Sequence, residues 1–349
     1  MVNDQAQTRI RVAQWATGTV GALAMRAVID HPSMELVAVR VYSPAKEGRD
    51  AGELCGAPAV GVKAVRDLDS ILAAKPDCVI YMPQSTDPDD VCALLQNGIN
   101  IVTTRAEFFN PDMMKPALRE RVEAACQSGN SSIHATGSSP GFITEALPLV
   151  VTSLSRRLDF LSIEEYANCL EGCSEEMLTA LMGFGDFPEA FAQRQVADRD
   201  QVFEHSLGLV ASALGLDIDR FETSTEFATC LHDTKLHSST IPAGSVGAQR
   251  VAVNGYRNGK PLMRFRSNWF VTMDVEPAWD LRTDGWRLRV EGDAPVDMLI
   301  DLPMPIEQDV RASGRYTAHR PVNVIPAVVA AQPGIVPTTK LPTPVAELG

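Results

Sequence analysis

Ile10-Arg11-Val12-Ala13-Gln14-Trp15-Ala16-Thr17-Gly18-Thr19-Val20-Gly21 reads as a strand, a glycine-bearing turn and the opening of a helix that runs to Asp30 and stops at His31-Pro32. A dinucleotide-binding turn carries three glycines: one for the tight turn, one that lets the backbone approach a pyrophosphate, and one for close packing of helix on strand. Ala16 stands at the first of these positions, Gly18 at the second and Gly21 at the third. The helix N-terminus would offer free N–H groups to the diphosphate, which makes Thr17, Gly18, Thr19 and Val20 the candidate contacts. A glycine pattern alone is weak; the strand before it and the helix after it supply the context that gives it meaning. The competing reading is a plain strand–helix turn in another α/β domain.

Outward from this turn the first 135 residues alternate short apolar runs with helical patterns. Leu36–Val39, Cys78–Tyr81, Ile99–Thr103 and Ser132–Ala135 read as strands, and Pro88–Gln96 and Pro111–Gln127 as helices. Such alternation implies an α/β, doubly wound parallel sheet of the Rossmann kind, placed at residues 1–137. From about residue 140 the pattern changes to helical stretches (Thr144–Ser155, Ser174–Leu181, Asp200–Leu214) and then to strand-like runs (Ala248–Val253, Leu262–Met273, Trp286–Val290). Tyr256-Arg257-Asn258-Gly259-Lys260 has the composition of a hairpin turn. Residues 138–312 are therefore expected to form an α+β domain with a largely antiparallel sheet. Residues 313–349 form a separate C-terminal segment, proline-rich and extended from about Pro337.

Composition narrows the class. At 349 residues with 45% hydrophobic and 21% charged side chains, the chain has the make-up of a folded protein of two domains. No apolar run reaches the roughly 18–20 residues of a membrane helix; the most apolar late stretch, Val322–Val336, is interrupted by Pro326, Pro333 and Gly334. The polar start, Met1 to Gln7, has no apolar signal core, so a cytoplasmic location and no membrane partner are expected. A formal charge of −13 repels a phosphate backbone, which argues against nucleic acid and requires any phosphate site to be a local basic pocket. The seven cysteines are scattered and odd in number, as expected of reduced thiols. Cys169 and Cys173 are four apart, but no further ligands cluster beside them, so no metal is expected.

The choice of cofactor is read about 20 residues after the turn, where an NAD enzyme places an acid for the ribose hydroxyls. Here the second strand ends Val39-Arg40-Val41-Tyr42-Ser43, with Lys46 and Arg49 following and no acid at the strand end. Arg40, Ser43 and Lys46 could hold a 2′-phosphate by charge-assisted hydrogen bonds, so NADP is expected to be preferred over NAD. In a parallel sheet, ligands lie beyond the carboxyl ends of the strands. Two such ends carry residues of interest. Thr103-Thr104-Arg105-Ala106-Glu107-Phe108-Phe109 sends Glu107 into a loop flanked by aromatics, where a partly desolvated carboxylate can act as a base or bind an ammonium. Ala135-Thr136-Gly137-Ser138-Ser139-Pro140-Gly141-Phe142 suits a hinge that brings backbone, Gly137 in particular, close to a nicotinamide. A solvated glutamate and a simple inter-domain turn are the alternatives.

With these residues in place, the chain resembles the dihydrodipicolinate reductase-like oxidoreductases, in particular the 2,4-diaminopentanoate dehydrogenase and native amine dehydrogenase group. The matching pieces are Gln14–Gly21, the Glu107 loop, Gly137–Phe142, Met182-Gly183-Phe184-Gly185, Ile241–Gly247 and Asn323–Val328, in this order. The resemblance implies NAD(P)-dependent oxidative deamination of an amine, or reductive amination of a carbonyl with ammonia, with Glu107 as acid/base. It also implies that Asn323 lies on a segment returning to the Rossmann domain and meets the nicotinamide carboxamide, and that the chain forms a homodimer through its second domain. That domain is expected to wall the substrate pocket with Phe142, Tyr166, Asn168 and Phe184, and less strongly with Asn268 and Trp269. These residues include no second carboxylate or arginine, which points to a small amine without a charged tail. True dihydrodipicolinate reductases carry a His-His pair followed by a lysine; here His232, Lys235 and His237 stand apart, which argues against the lysine-pathway reaction. A related imine or carbonyl reductase, and a nicotinamide-binding sensor without turnover, remain the alternatives.

Overall fold

A computed structural model describes residues 9–193, 199–236, 238–301 and 312–348. The chain divides into two compact units, Met1–Phe142 with Arg311–Gly349, and Ile143–Val310. Each is described by itself.

The first unit opens with β1 (Ile10–Trp15), α1 (Thr19–Ile29), β2 (Met34–Arg40), α2 (Ala51–Cys55), β3 (Ala64–Val65), α3 (Leu68–Ala73), β4 (Cys78–Tyr81), α4 (Pro88–Gln96), β5 (Asn100–Thr103), α5 (Pro116–Gly129) and β6 (Ser132–Ala135). The strand pairs are all parallel. The strands are buried on both faces, which is why they read as continuous apolar runs rather than as alternations. Val79 and Tyr81 face a cluster completed by Leu94 and Val122, while Cys78 and Ile80 face the opposite cluster with Met25 and Val28 of α1. Aspartates cap three of the helices: Asp50 accepts from the Gly52 N–H, Asp67 from Ser70 and Asp87 from Asp89.

The second unit holds α6 (Leu147–Thr152), β7 (Leu158–Asn168), α7 (Cys169–Gly172), α8 (Pro188–Ala192), α9 (Arg199–Ala213), β8 (Arg220–Cys230), β9 (Thr234–Lys235), β10 (Thr240–Ile241), β11 (Val246–Arg257), β12 (Lys260–Phe270), β13 (Val275–Glu276), β14 (Gly285–Gly292) and β15 (Val296–Ile300). Its seven-stranded sheet has the order β13-β8-β11-β12-β7-β14-β15. The β7–β12 pair is parallel and the others are antiparallel, as the alternating sequence implied. Asn258 and Gly259 both take positive φ (52° and 72°), the geometry of the tight turn that joins β11 to β12. One sheet face packs Ile163, Phe265 and Leu288 against Leu207 and Val210 of α9. The alternate residues Glu164, Arg250, Arg264 and Arg266 stand on the other face, where Arg266 pairs with Glu164 at 2.6 Å.

The chain then re-enters the first unit through α10 (Ala312–Val329) and β16 (Gly334–Ile335). β16 pairs in parallel with β6, so the first sheet has the order β16-β6-β5-β4-β1-β2-β3. Pro321 and Pro326 both lie inside α10. The sequence reading treated Pro326 as an interruption of the late apolar run. Burial of Ala318, Val322, Ile325 and Val328 in the cluster of α1 outweighs the hydrogen bonds these prolines remove. At the end of this unit the Phe142 N–H bonds back to Gly137 O at 2.9 Å and Ser138 Oγ meets Thr317 Oγ1 at 2.7 Å. Among the described residues no helix is long and apolar enough to cross a membrane, and no group of three metal-ligating side chains occurs.

Candidate active site

The turn after β1 leaves open space beside Gly18. Gly18 is the N-cap of α1, with φ −70° and ψ −176°, values open to any residue, and no side chain caps the helix. A Cβ built on Gly18 meets nothing within 4 Å. Neither backbone conformation nor internal packing therefore asks for glycine there. The space beside the peptide is open, at an uncapped helix N-terminus with no acid in its first turn. Gly21 is different: a Cβ there would stand 2.3 Å from Ala16 O, so this glycine serves the packing of helix on turn. Ala16 takes φ 74°, the left-handed conformation that a glycine would adopt without strain. Its carbonyl accepts from Gln14 Nε2 at 2.9 Å, and its N–H bonds Arg40 O at 2.9 Å.

β1 lies between β2 and β4, so the sheet changes direction of growth at the turn, which is where a parallel sheet opens a crevice beyond its carboxyl ends. Of the cations at the end of β2, Lys46 joins the turn: its Nζ donates to Thr17 O at 2.8 Å and to Thr17 Oγ1 at 3.2 Å. Ser43 is exposed beside it. Arg40 does not join them. Its guanidinium lies 4.0 Å from the Trp15 ring centroid, its Nη1 pairs with Asp90 Oδ2 at 2.6 Å, and its Nε donates to Arg66 O. The expected phosphate ligand is committed to the protein.

Glu107 sits in the single turn Ala106–Phe108, immediately beyond β5. Phe108 and Phe109 are buried and pin the turn to the core, which leaves the Glu107 side chain at the surface of the edge, 34% exposed. Oε1 accepts from Arg105 Nη2 at 2.9 Å. Oε2 is buried and has no hydrogen-bond partner. Burial pushes the carboxyl upward, but the Arg105 hydrogen bond, the turn's own N–H, the guanidinium charge and the Thr86 hydroxyl outweigh it and hold Glu107 below the usual carboxylate range. β5 is two strand spacings from β1, roughly 10 Å, so Glu107 and the glycine turn share one edge of the sheet. Gly137 follows β6 at the same edge, where a Cβ would crowd Pro140 O at 3.1 Å. Phe142 is 40% exposed, with the Arg320 guanidinium 5.4 Å from its ring centroid. Asn323 is half-buried in the interior of α10.

The other pocket candidates lie in the second unit, and the structure uses several of them for packing. Phe184 is 1% exposed, in a cluster with Leu178, Phe191, Ile241 and Val246, and forms core rather than an open wall. Tyr166 is buried and its hydroxyl donates to Glu164 Oε2 at 2.7 Å. Asn168 caps α7 through the Leu170 N–H. Asn268 is fully buried between Arg250 Nε and Glu165 O. Trp269 leads to a residue the sequence reading passed over: its indole N–H and that of Trp286 converge on the two oxygens of Glu165, at 2.9 and 3.2 Å. The second unit thus does carry a half-buried carboxylate, which only β-strand register could have brought between two tryptophans.

Comparison with known proteins finds similarity along both parts of the chain. A family model for the N-terminus of dihydrodipicolinate reductase matches residues 10–106, and one for the 2,4-diaminopentanoate dehydrogenase C-terminal domain matches residues 180–349. Over these two stretches the chain is similar to the dihydrodipicolinate reductase-like oxidoreductases. Within that class it is similar to an amine dehydrogenase of Streptomyces virginiae, 29% identical over 348 residues, covering 95% of this chain and 96% of that one. It is also similar to the 2,4-diaminopentanoate dehydrogenase of Acetoanaerobium sticklandii, 22% identical over 265 residues, covering 75% and 71%. The structure of an amine dehydrogenase from Mycobacterium smegmatis shares the fold, with a TM-score of 0.77 at 19% identity over 97% of each chain. His232 is exposed, as is Lys235 on β9; His237 lies outside the described residues.

Proposed function

We propose that this oxidoreductase is an NAD(P)-dependent amine dehydrogenase, interconverting a primary amine and a carbonyl with ammonia, and that Glu107 is its acid/base. The observation that carries the reading is the Glu107 carboxylate at the edge shared with the glycine turn, held ionised and with its buried Oε2 lacking a donor. An alkylammonium has a pKa of about 10, so an amine arrives charged near neutral pH and cannot release a hydride until it loses a proton. An ionised carboxylate pairs with that cation, takes its proton and passes it to solvent; ionised again, it then activates water for attack on the imine. In the reverse direction the same oxygen holds ammonia beside the carbonyl. The bound nicotinamide supplies or accepts the hydride. Thr17, Gly18, Thr19 and Val20 would hold its diphosphate, Gly137 would back its ring, and Asn323 would meet its carboxamide.

NADP is the proposed preference, supported by Lys46 on the turn and by the lack of an acid at the end of β2. The first unit would serve the dinucleotide and the second, Ile143–Val310, the substrate. A homodimer through the second unit's sheet completes the proposal, with the charged face of Glu164, Arg250 and Arg266 as its ground. The test is a panel of carbonyls with NADPH, with and without ammonium, followed at the nicotinamide absorbance. Consumption of NADPH that requires ammonium supports the reading. Equal consumption without ammonium makes the protein a carbonyl or cyclic-imine reductase, and none at all with tight NADPH binding makes it a sensor.

A further inference from the structure

One guanidinium organises the surroundings of Glu107. Arg105 Nη1 donates to Gln84 O at 2.7 Å, its Nε to Thr86 Oγ1 at 3.0 Å and its Nη2 to Glu107 Oε1 at 2.9 Å. Its backbone N–H donates to Thr103 Oγ1 at 3.0 Å, and that hydroxyl donates to Tyr81 O at 2.6 Å. The fork thus ties the turn after β5 to the loop between β4 and α4. An arginine facing a carboxylate alone commonly takes both oxygens. Here two arms of the fork are spent on Gln84 and Thr86, only Oε1 is taken, and Oε2 stays buried without a partner. A buried acceptor with no donor is costly, and native structures keep few of them without a use.

We infer that Arg105 is a positioning residue, clamping Oε1 of Glu107 so that Oε2 is presented to the reacting nitrogen. This rests on the amine dehydrogenase reading and says which oxygen does the work. Arg105 also supplies the positive charge beside the carboxylate. Burial raises the Tyr81 phenol and lowers His134 on β6 to about 4, so both are neutral near pH 7, and Asp87 is engaged in capping α4.

The test compares Arg105→Met, Arg105→Lys and Thr86→Val with wild type and with Glu107→Gln. The readouts are kcat across pH and the Glu107 carboxyl titration by NMR of carboxyl-labelled protein, the resonance being identified by its loss in Glu107→Gln. Arg105→Met is expected to lower kcat about 100-fold by misplacing the carboxylate and to raise the Glu107 pKa by about one unit or more. Arg105→Lys keeps a charge but not the fork, so kcat falls while the titration stays low. Thr86→Val, which removes one anchor, lowers kcat about tenfold. An arginine that supplies only charge would leave kcat in Arg105→Lys at the wild-type value. Wild-type titration and kcat in Arg105→Met overturn the inference. Should that variant not fold, wild-type kcat in both Arg105→Lys and Thr86→Val overturns it equally. Full activity in Glu107→Gln removes the reading beneath; an inactive Glu107→Gln beside a wild-type Arg105→Met removes the positioning role alone.

Discussion

Lys46 closes onto the glycine turn by donating from Nζ to both oxygens of Thr17, at 2.8 and 3.2 Å. A cation is thereby held where the backbone N–H groups of α1 already favour negative charge. Lys46→Met is expected to weaken NADP binding by about tenfold or more, the worth of one charge-assisted contact, and to narrow the gap between NADP and NAD. Fluorescence titration of both nucleotides measures it. Equal dissociation constants for the two in wild type would refute the proposed preference.

Gly18 and Gly21 separate ligand space from packing space. Gly18→Ala fits the backbone and meets no atom of the chain, so melting temperature should stay within a few degrees of wild type while dinucleotide affinity falls. Gly21→Ala drives a methyl into Ala16 O and should destabilise the fold by about 2 kcal/mol or more. Thermal denaturation with and without NADPH tells them apart. An affinity unchanged in Gly18→Ala would place the diphosphate elsewhere.

Arg40 belongs to the fold. Its pair with Asp90 leaves both side chains 15% exposed, and the guanidinium covers Trp15. Arg40→Met should cost about 2 kcal/mol of stability, between the values for exposed and buried pairs with a cation–π contribution. It should leave the ratio of NADP to NAD affinity unchanged, which denaturant titration and nucleotide binding on the same preparation will show.

His134 makes stability depend on pH. Burial, reinforced by the charge of Arg320 and opposed by the bond from Nδ1 to Val336 O, lowers its pKa to about 4. The unfolded chain takes up a proton near pH 6.5 and the folded one only near 4. The histidine's share of stability is therefore intact above pH 6.5 and is lost as pH falls from 6.5 to 4, by on the order of 3 kcal/mol. His134→Asn retains a donor for Val336 without titrating. Its stability between pH 4.5 and 7 should fall less steeply than that of wild type; parallel curves would count against a neutral buried histidine.

The first sheet was readable because each of its longer strands is a short apolar run set off by a turn or a helix, and because Gly18 and Gly21 mark the first crossover. The β3 strand of two residues and the short α2 and α3 beside it were not, since elements of that length carry no period. α10 was hidden by Pro321 and Pro326, residues that end most helices but are tolerated here by packing against α1. The position of Glu107 followed from its place after β5. The role of Arg105 did not, because Gln84 and Thr86 reach it only through the pairing of β4 with β5. The partner of Arg40 was hidden for the same reason: Asp90 stands 50 positions away and meets it only in the fold. Phe184 looked like a pocket wall because apolar residues serve walls and cores alike.

The central claim is that one oxygen of Glu107 handles the proton of the reacting nitrogen, and the most direct measurement is the single-turnover rate of hydride transfer in Glu107→Gln saturated with NADPH, carbonyl and ammonium. The account expects that rate to fall by about 100-fold or more with NADPH affinity unchanged. A rate equal to that of wild type would contradict it.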